Sequence, residues 1–293
     1  MKNYTTANST TMDAGQTENL YPGKIILVAT DFSPAALNAA IYAADMALAI
    51  NASVRLVHIF QIPTVYFEMP VTPNEYELGQ EAENAMVQLK QELMNSTGNT
   101  VSIEAEVIPG HFFEQLQVCC NQLNPWMVII GSQGKSSAER ILFGSHATYA
   151  MQNLNWPLMT IPPQARFTDI KKIGLACDFE NINQSIPFND LKLLVEIFNA
   201  ELHILNTGKP GVFDPAIVFQ SELMEEKIRP LKPQYHFIAG NDVDESILHF
   251  AEKNEIDLLV VLPKRHGIFE RLTHKSHTKQ MVLHSHVPVM AIH

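Results

Sequence analysis

Cysteine is scarce in this chain of 293 residues, which carries only Cys119, Cys120 and Cys177. So few, and an odd number, argue against a disulfide framework and fit a reducing compartment. Charge is sparse as well. Asp, Glu, Lys and Arg make up 17% of the residues against 46% hydrophobic ones, which rules out a charge-dominated disordered chain. Basic residues are the rarer sign, 20 against 31 acidic, for a formal net charge of −11. That deficit argues against broad contact with a nucleic-acid backbone and against docking on an anionic membrane. Long apolar runs are missing too. None approaches the roughly 18 residues of a membrane-spanning helix, and the longest, such as Met127–Ile130 and Ile256–Leu262, are strand-sized. The first 22 residues are rich in Thr, Asn and Ser and lack the apolar stretch of a secretory signal. Residues 1–22 read as a flexible tail, and the expected location is the cytoplasm.

What is present is a repeat. At about 150 residues per domain, the length suggests two domains. Lys24-Ile-Ile-Leu-Val-Ala-Thr-Asp-Phe32 is echoed by Lys171-Lys-Ile-Gly-Leu-Ala-Cys-Asp-Phe179. Val54–Ile59 is echoed by Leu202–Leu205, each after an Asn-Ala pair. Trp126–Ile130 is echoed by Asp257–Val261, and Trp156–Ile161 by Val287–Ile292. The same elements in the same order, about 130–148 residues apart, indicate two copies of one domain. Pro162-Pro163-Gln164-Ala165-Arg166 stops the preceding strand and marks the boundary. The expected domains are residues 23–163 and 168–293.

The strands of each copy are continuous apolar runs, as at Ile25–Ala29 and Val128–Ile130, the pattern of strands buried on both faces. Helical stretches lie between them. Pro34–Ile50 has Ser33 as a plausible cap and Pro34 at its first position. Gln80–Met94 carries Ala82, Ala85, Met86, Leu89 and Leu93 on one stripe. Phe112–Leu123 and Ala147–Leu154 follow. Alternating strands and helices predict an α/β fold with a parallel sheet flanked by helices. Its ligand site lies beyond the carboxyl ends of the strands.

One stretch carries chemistry. After the strand Val128–Ile130 comes Gly131-Ser132-Gln133-Gly134-Lys135, and nine residues after Gly134 comes Gly144-Ser145. Glycines after a strand let the backbone approach a phosphate and offer it N–H groups. Gly144-Ser145 opens a helix, whose N-terminus favours an anion. A Walker A loop is excluded by spacing, since that motif needs four residues between its first Gly and its Gly-Lys. Two glycines here would read as plain turns. Three glycines and a serine, beside Asp31 at the end of the first strand, favour a phosphate site.

These residues resemble the universal stress protein family. The resemblance rests on Ala-Thr-Asp-Phe-Ser (29–33), Leu-Val-His-Ile (56–59) and the Gly131/Gly134/Gly144-Ser145 spacing, and it covers nearly everything after residue 22. It implies two tandem universal-stress-protein-like (adenine nucleotide alpha hydrolase-like) domains, each a five-stranded parallel sheet flanked by helices. Carried over by position, Ala29, Thr30 and Asp31 would line the nucleoside pocket, and Ile59 would meet the adenine through its backbone. Gly131, Gly134, Gly144, Ser145 and His146 would hold ribose and phosphates, with Lys135 as an added charge or a solvated loop lysine. The implied ligand is ATP or a related adenine nucleotide, with Mg2+ at Asp31 a secondary reading to a hydrogen-bonding carboxylate. The implied role is a stress-linked sensor or regulator. Slow ATP hydrolysis or self-phosphorylation at Ser145 or Ser132 is the alternative, and a module for a different ligand is a third. The family's single domains pair through their last strands, so Leu158–Ile161 and Val289–Ile292 would join the two copies within one chain, with a homodimer of chains as a further level of assembly.

The second copy departs from the pattern. Gly131 aligns with Leu262, Gly134 with Arg265 and Gly144 with Lys275, while Asp178 and Ser276 match Asp31 and Ser145. Leu262 and Lys275 put side chains where a phosphate needs bare backbone, and Pro263 lacks an N–H donor. Nucleotide binding in the family's manner is therefore expected of the first copy alone. Histidines crowd the C-terminus at His266, His274, His277, His284, His286 and His293, without the cysteines or carboxylates that would complete a zinc site. Lys264, Arg265, Arg271 and Lys275 form a small basic group beside Glu270. Tyr66–Tyr76, with three nearby prolines, reads as a mobile loop, and Cys119-Cys120 as buried thiols on a helix. No nucleophile, histidine and acid stand in a recognisable catalytic context.

Overall fold

The computed structural model describes residues 23–61, 75–132, 145–177, 187–206, 226–238, 242–263, 281–282 and 284–293. The N-terminal 22 residues, expected to be a tail, lie outside them. The first copy runs β1 (Ile25–Ala29), α1 (Pro34–Ile50), β2 (Ser53–Phe60), α2 (Glu75–Ser96), β3 (Ile103–Pro109), α3 (Phe112–Leu123), β4 (Met127–Gly131), α4 (Ser145–Asn153) and β5 (Leu158–Ile161). The second runs β6 (Lys172–Ala176), α5 (Phe188–Phe198), β7 (Glu201–Asn206), a single 3-10 turn at Arg229–Leu231, β8 (Gln234–Phe237), α6 (Val243–Lys253), β9 (Leu258–Val261) and β10 (Val289–Ala291).

The ten described strands form one sheet in the order β3-β2-β1-β4-β5-β10-β9-β6-β7-β8. Within each copy the pairing is parallel, and the internal order is the same in both. The one antiparallel pair is the junction, with Val289 opposite Thr160, Met290 opposite Met159 and Ala291 opposite Leu158. These are the strands named from sequence for joining the copies. Thr160 reinforces the junction by donating its hydroxyl to the Val289 carbonyl at 3.3 Å. Because the junction is antiparallel, the carboxyl ends of the first copy's parallel strands point opposite to those of the second.

Parallel strands are covered on both faces, and the burial shows it: Ile26, Leu27, Val28, Met127, Val128 and Ile129 are all fully buried. One apolar layer lies between the sheet and α1, α2 and α5, the other between the sheet and α3, α4 and α6. Each layer holds residues of both copies, so the two halves share continuous cores. A fully buried Leu or Ile contributes about 1.5–3 kcal/mol.

Helix α1 shows how local sequence sets this packing. Ser33 accepts the Ala36 N–H on its hydroxyl at 3.2 Å, Pro34 fills the first position, and Asn51 closes the helix in a left-handed conformation. Its fully buried Ala39, Ala40, Ala43, Ala44 and Ala47 let it lie close on the sheet. Asn38, buried in the same helix, donates to the carbonyls of Pro162 and Ala165, both at 3.0 Å, and accepts from Arg166. The connection between the copies is thus pinned to α1. Helix α2 begins earlier than its apolar stripe, at Glu75, because Glu and Gln extend a helix without needing burial. Glu75 and Tyr76, expected within a mobile loop, are its first residues.

Candidate functional site

Four strands of the first copy end together, and the turns there are held by their own side chains. Thr30, buried just past β1, donates its N–H to the Val57 carbonyl at 2.9 Å. Its carbonyl accepts from His58 Nδ1 at 2.8 Å, and its hydroxyl accepts the Phe32 N–H at 3.1 Å. Asp31 Oδ1 accepts the Ser33 N–H at 2.9 Å. Side chains that bond the backbone two residues on make tight turns of this kind. Phe32 sits at φ 59°, in the left-handed region, with its ring 4.5 Å from the His58 ring. Of the other residues expected to line a nucleoside pocket, Ala29 is buried and Ile59 is half-buried against the layer under α3 and α4.

Gly131 ends β4, and a Cβ there would lie 2.9 Å from the Ala35 carbonyl carbon and 3.0 Å from the Ala36 nitrogen. The absent side chain lets the first turn of α1 close against the strand. Ser132 is buried and donates its N–H to the Ile161 carbonyl at 3.0 Å. Ser145 begins α4, and His146 behind it is exposed, its ring stacked 4.8 Å from Phe112 at 17°. Phe112 opens α3, just after Gly110, whose N–H reaches the Phe60 carbonyl at 2.9 Å and whose φ is +139°. Thr30–Ser33, His58–Phe60, Gly110–Phe112, Gly131–Ser132 and His146 therefore surround one end of the first copy. Gly134, Gly144 and Lys135 lie outside the described residues.

His58 stands in the Leu-Val-His-Ile stretch of β2, where spacing alone gives it no task. The signal was a polar residue interrupting an apolar strand, and its task is to fasten β2 to the turn after β1. The second copy does the same with Asn206 at the matching register. Asn206 donates Nδ2–H to the Cys177 carbonyl at 2.8 Å, and the Cys177 N–H reaches Leu205 at 3.0 Å. Leu262, the counterpart of Gly131, is half-buried and packs on the layer under α1 and α5. Aligned on the left-handed caps Asn51 and Asn199, the counterpart of Pro34 is Ile182, and α5 begins at Phe188, six residues later. Asp178, Asn181, Lys264, Arg265, Glu270, Arg271, Lys275 and Ser276 lie outside the described residues, as do His266, His274 and His277.

Cys119 and Cys120 are buried; burial raises the Cys119 thiol above its ordinary range and pushes Cys120 up to about 12. His284 and His286 are exposed, and His286 lies 3.7 Å from Glu252. Among the described residues no three histidine, cysteine or carboxylate groups gather as a metal site, and no helix is long and apolar enough to cross a membrane. An open cavity of about 600 Å3 lies between the start of α5 and the turn at Arg229–Leu231, lined by Phe188, Asp190, Lys192, Lys227 and Pro230 among others. None of its lining residues belongs to the strand ends.

Comparison with known proteins follows the same division. The sequence model of the Universal stress protein family matches residues 23–162 and 193–293. A universal stress protein of Methanocaldococcus jannaschii is 26% identical over 149 residues, which is 49% of this chain and 84% of that protein. Among solved structures, a universal stress protein from Archaeoglobus fulgidus is 18% identical and superposes with a TM-score of 0.69, covering 92% of this chain and 95% of that one. A functionally unknown protein from Pseudomonas aeruginosa PAO1 is 14% identical with a TM-score of 0.57, covering 92% of each. These solved structures share the fold along nearly the whole chain, and the two matched segments cover most of it: this chain belongs to the Universal stress protein family.

Proposed function

We propose that the first copy, residues 23–163, binds ATP or a related adenine nucleotide at the ends of β1, β2 and β4. In this reading the second copy, residues 168–293, binds none and pairs with the first as a structural or regulatory half. The chain then acts in the cytoplasm as a stress-linked regulator, with nucleotide occupancy biasing a surface that a partner reads.

The observation that carries this reading is the glycine spacing after β4. Gly131, Gly134 and Gly144-Ser145 are all present in the first copy, and Leu262, Arg265 and Lys275 replace the glycines in the second. A phosphate held by backbone N–H groups needs bare backbone rather than net positive charge, so the −11 of the chain is no obstacle. The residues around the strand ends fit a nucleoside. Asp31 is half-buried in a turn whose backbone is already bonded, and Ile59 and Ala29, both packed on the layer under α3 and α4, would give the base an apolar floor. The nucleotide would bring its own phosphates and any Mg2+. The chain's part is to hold base and sugar against Asp31 and Ile59 and the phosphates against the loop after Gly131.

The test is calorimetry with ATP on the full chain, where one nucleotide per chain is expected. Gly144→Lys and Gly134→Arg each install the second copy's residue, and each is expected to remove binding while the chain stays folded. Two nucleotides per chain, or unchanged affinity in both variants, would sink the reading. Gly131 is the wrong place for this test, because its Cβ would strike α1 whether or not a ligand binds.

A further inference from the structure

The two copies fasten their outermost strands differently. In the first, Arg55 of β2 forms an ion pair with Glu104 of β3, with Glu106 two residues further along and Cys119 of α3 above. The matching register in the second copy holds His203, Gln234 and His236, and Phe250 of α6 takes the place of Cys119. His203 is 6% exposed, and its Nδ1 lies 2.9 Å from His236 Nε2 across the strands. The two rings are stacked, 12° from parallel, and His236 also packs on Phe250 at 4.8 Å. Among the described strands β8 ends the sheet and pairs with β7.

We propose that the His203–His236 pair is an acid-released clasp, which holds the terminal strand β8 at neutral pH and lets it go in mild acid while β3 stays bound. A hydrogen bond between two imidazoles needs a proton on only one of the facing nitrogens. When both rings are charged, both facing nitrogens carry protons and the contact becomes a repulsion between like charges. The first copy holds Arg55, Glu104 and Glu106 at this register and no imidazole, so it has no such release.

The surroundings set the direction. Burial holds both imidazoles below their ordinary range, and His203 works against charge on His236. Lys172 of β6 adds to this at His203. Glu201 opposes it, 3.5 Å from His203 Nε2, but its side chain is 62% exposed and it also accepts from Gln234 at 3.2 Å. From α6 the group facing His236 is the uncharged Phe250 ring. Bases held below their unfolded value contribute stability that is complete above about pH 6.5 and is lost as pH falls through the lowered folded values.

Amide hydrogen exchange of the full chain, corrected for intrinsic rates, tests this. Between about pH 7.5 and about pH 5.5 the opening of Gln234–Phe237 should rise relative to Ile103–Pro109, by up to about tenfold for each proton that the closed pair excludes. The double variant His203→Arg with His236→Glu, which replaces both imidazoles with the residues found at Arg55 and Glu106 of the first copy, should abolish the rise. Imidazole titration of the unmodified chain by NMR serves where that variant does not fold, and both rings should titrate below about 6.5. An equal change in β3 and β8, no change in β8, a rise that persists in the folded double variant, or a ring titrating at or above that value would overturn the proposal.

Discussion

The two copies share a frame and differ at the positions that touch it from outside. In both, the residue after the first strand gives its N–H to the second strand and takes a side-chain hydrogen bond on its carbonyl: Val57 and His58 for Thr30, Leu205 and Asn206 for Cys177. In both, five strands keep one order and one parallel sense. Yet Gly131 became Leu262, and the helix that begins at Pro34 in one copy begins six residues later in the other. The backbone frame therefore survives the loss of the glycines. What Gly131 brings to the first copy is the close seating of a helix start against the fourth strand.

The largest expected effect tests that link. Gly131→Leu puts the second copy's residue into the first, with a Cβ 2.9 Å from backbone that no rotamer change can move. Overpacking of this kind costs about 3 kcal/mol, and the first turn of α1, with its Ser33 cap, should be displaced. Urea unfolding and exchange of the Ala35–Ala40 amides would measure it. A loss below about 0.5 kcal/mol, with those amides still protected, would mean that the glycine does not set the helix start.

The next effect concerns what joins the copies. Asn38→Leu removes the hydrogen bonds to the carbonyls of Pro162 and Ala165 and the oxygen that accepts from Arg166. Each carbonyl keeps one other donor, the Ala165 N–H at Pro162 and the Arg166 guanidinium at Ala165, so the loss of these buried hydrogen bonds should cost about 1–2 kcal/mol. Since both apolar layers run through both copies, the intact chain should unfold in one transition by calorimetry. The variant should lower its midpoint without splitting it. Two transitions in the intact chain would show the copies to be separate folding units. A smaller effect is expected from Ser33→Ala, which deletes the cap of α1 and should cost about 1 kcal/mol by the same measurement.

Much of this was legible in the sequence, and what was not has physical reasons. Strands β1, β4 and β9 are buried on both faces and read as unbroken apolar runs, so they were found. Helices α1 and α3 have the expected bounds because a cap and a buried stripe mark them. The junction of Leu158–Ile161 with Val289–Ala291 followed from the repeat and the family resemblance. The outer strands were hidden. Ile103, Ala105 and Val107 alternate with exposed or charged neighbours, and Gln234–Phe237 has one paired edge and no apolar run. The packing role of Gly131 was invisible for another reason: it depends on where α1 lies, which no spacing records. His58 and Asn206 were present in the motifs, but their shared task appears only once β1 and β2, or β6 and β7, are side by side.

That shared task gives the finest test of the comparison. If the frame needs only a donor at this register, His58→Asn should be nearly neutral, within about 0.5 kcal/mol, since Asn206 already spans the same gap at 2.8 Å. His58→Leu keeps the bulk and removes the donor, and should cost about 1–2 kcal/mol for the Thr30 carbonyl it leaves unpaired. The reciprocal Asn206→His would have to fit a larger side chain into a buried site that holds an amide. It should therefore be tolerated less well than His58→Asn. The ordering under urea, Asn at 58 above His at 206 and both above Leu at 58, is the result the shared frame requires. If His58→Asn falls as far as His58→Leu, the imidazole matters for its stacking on Phe32 at 4.5 Å rather than for its hydrogen bond, and the two copies hold their first turns by different means.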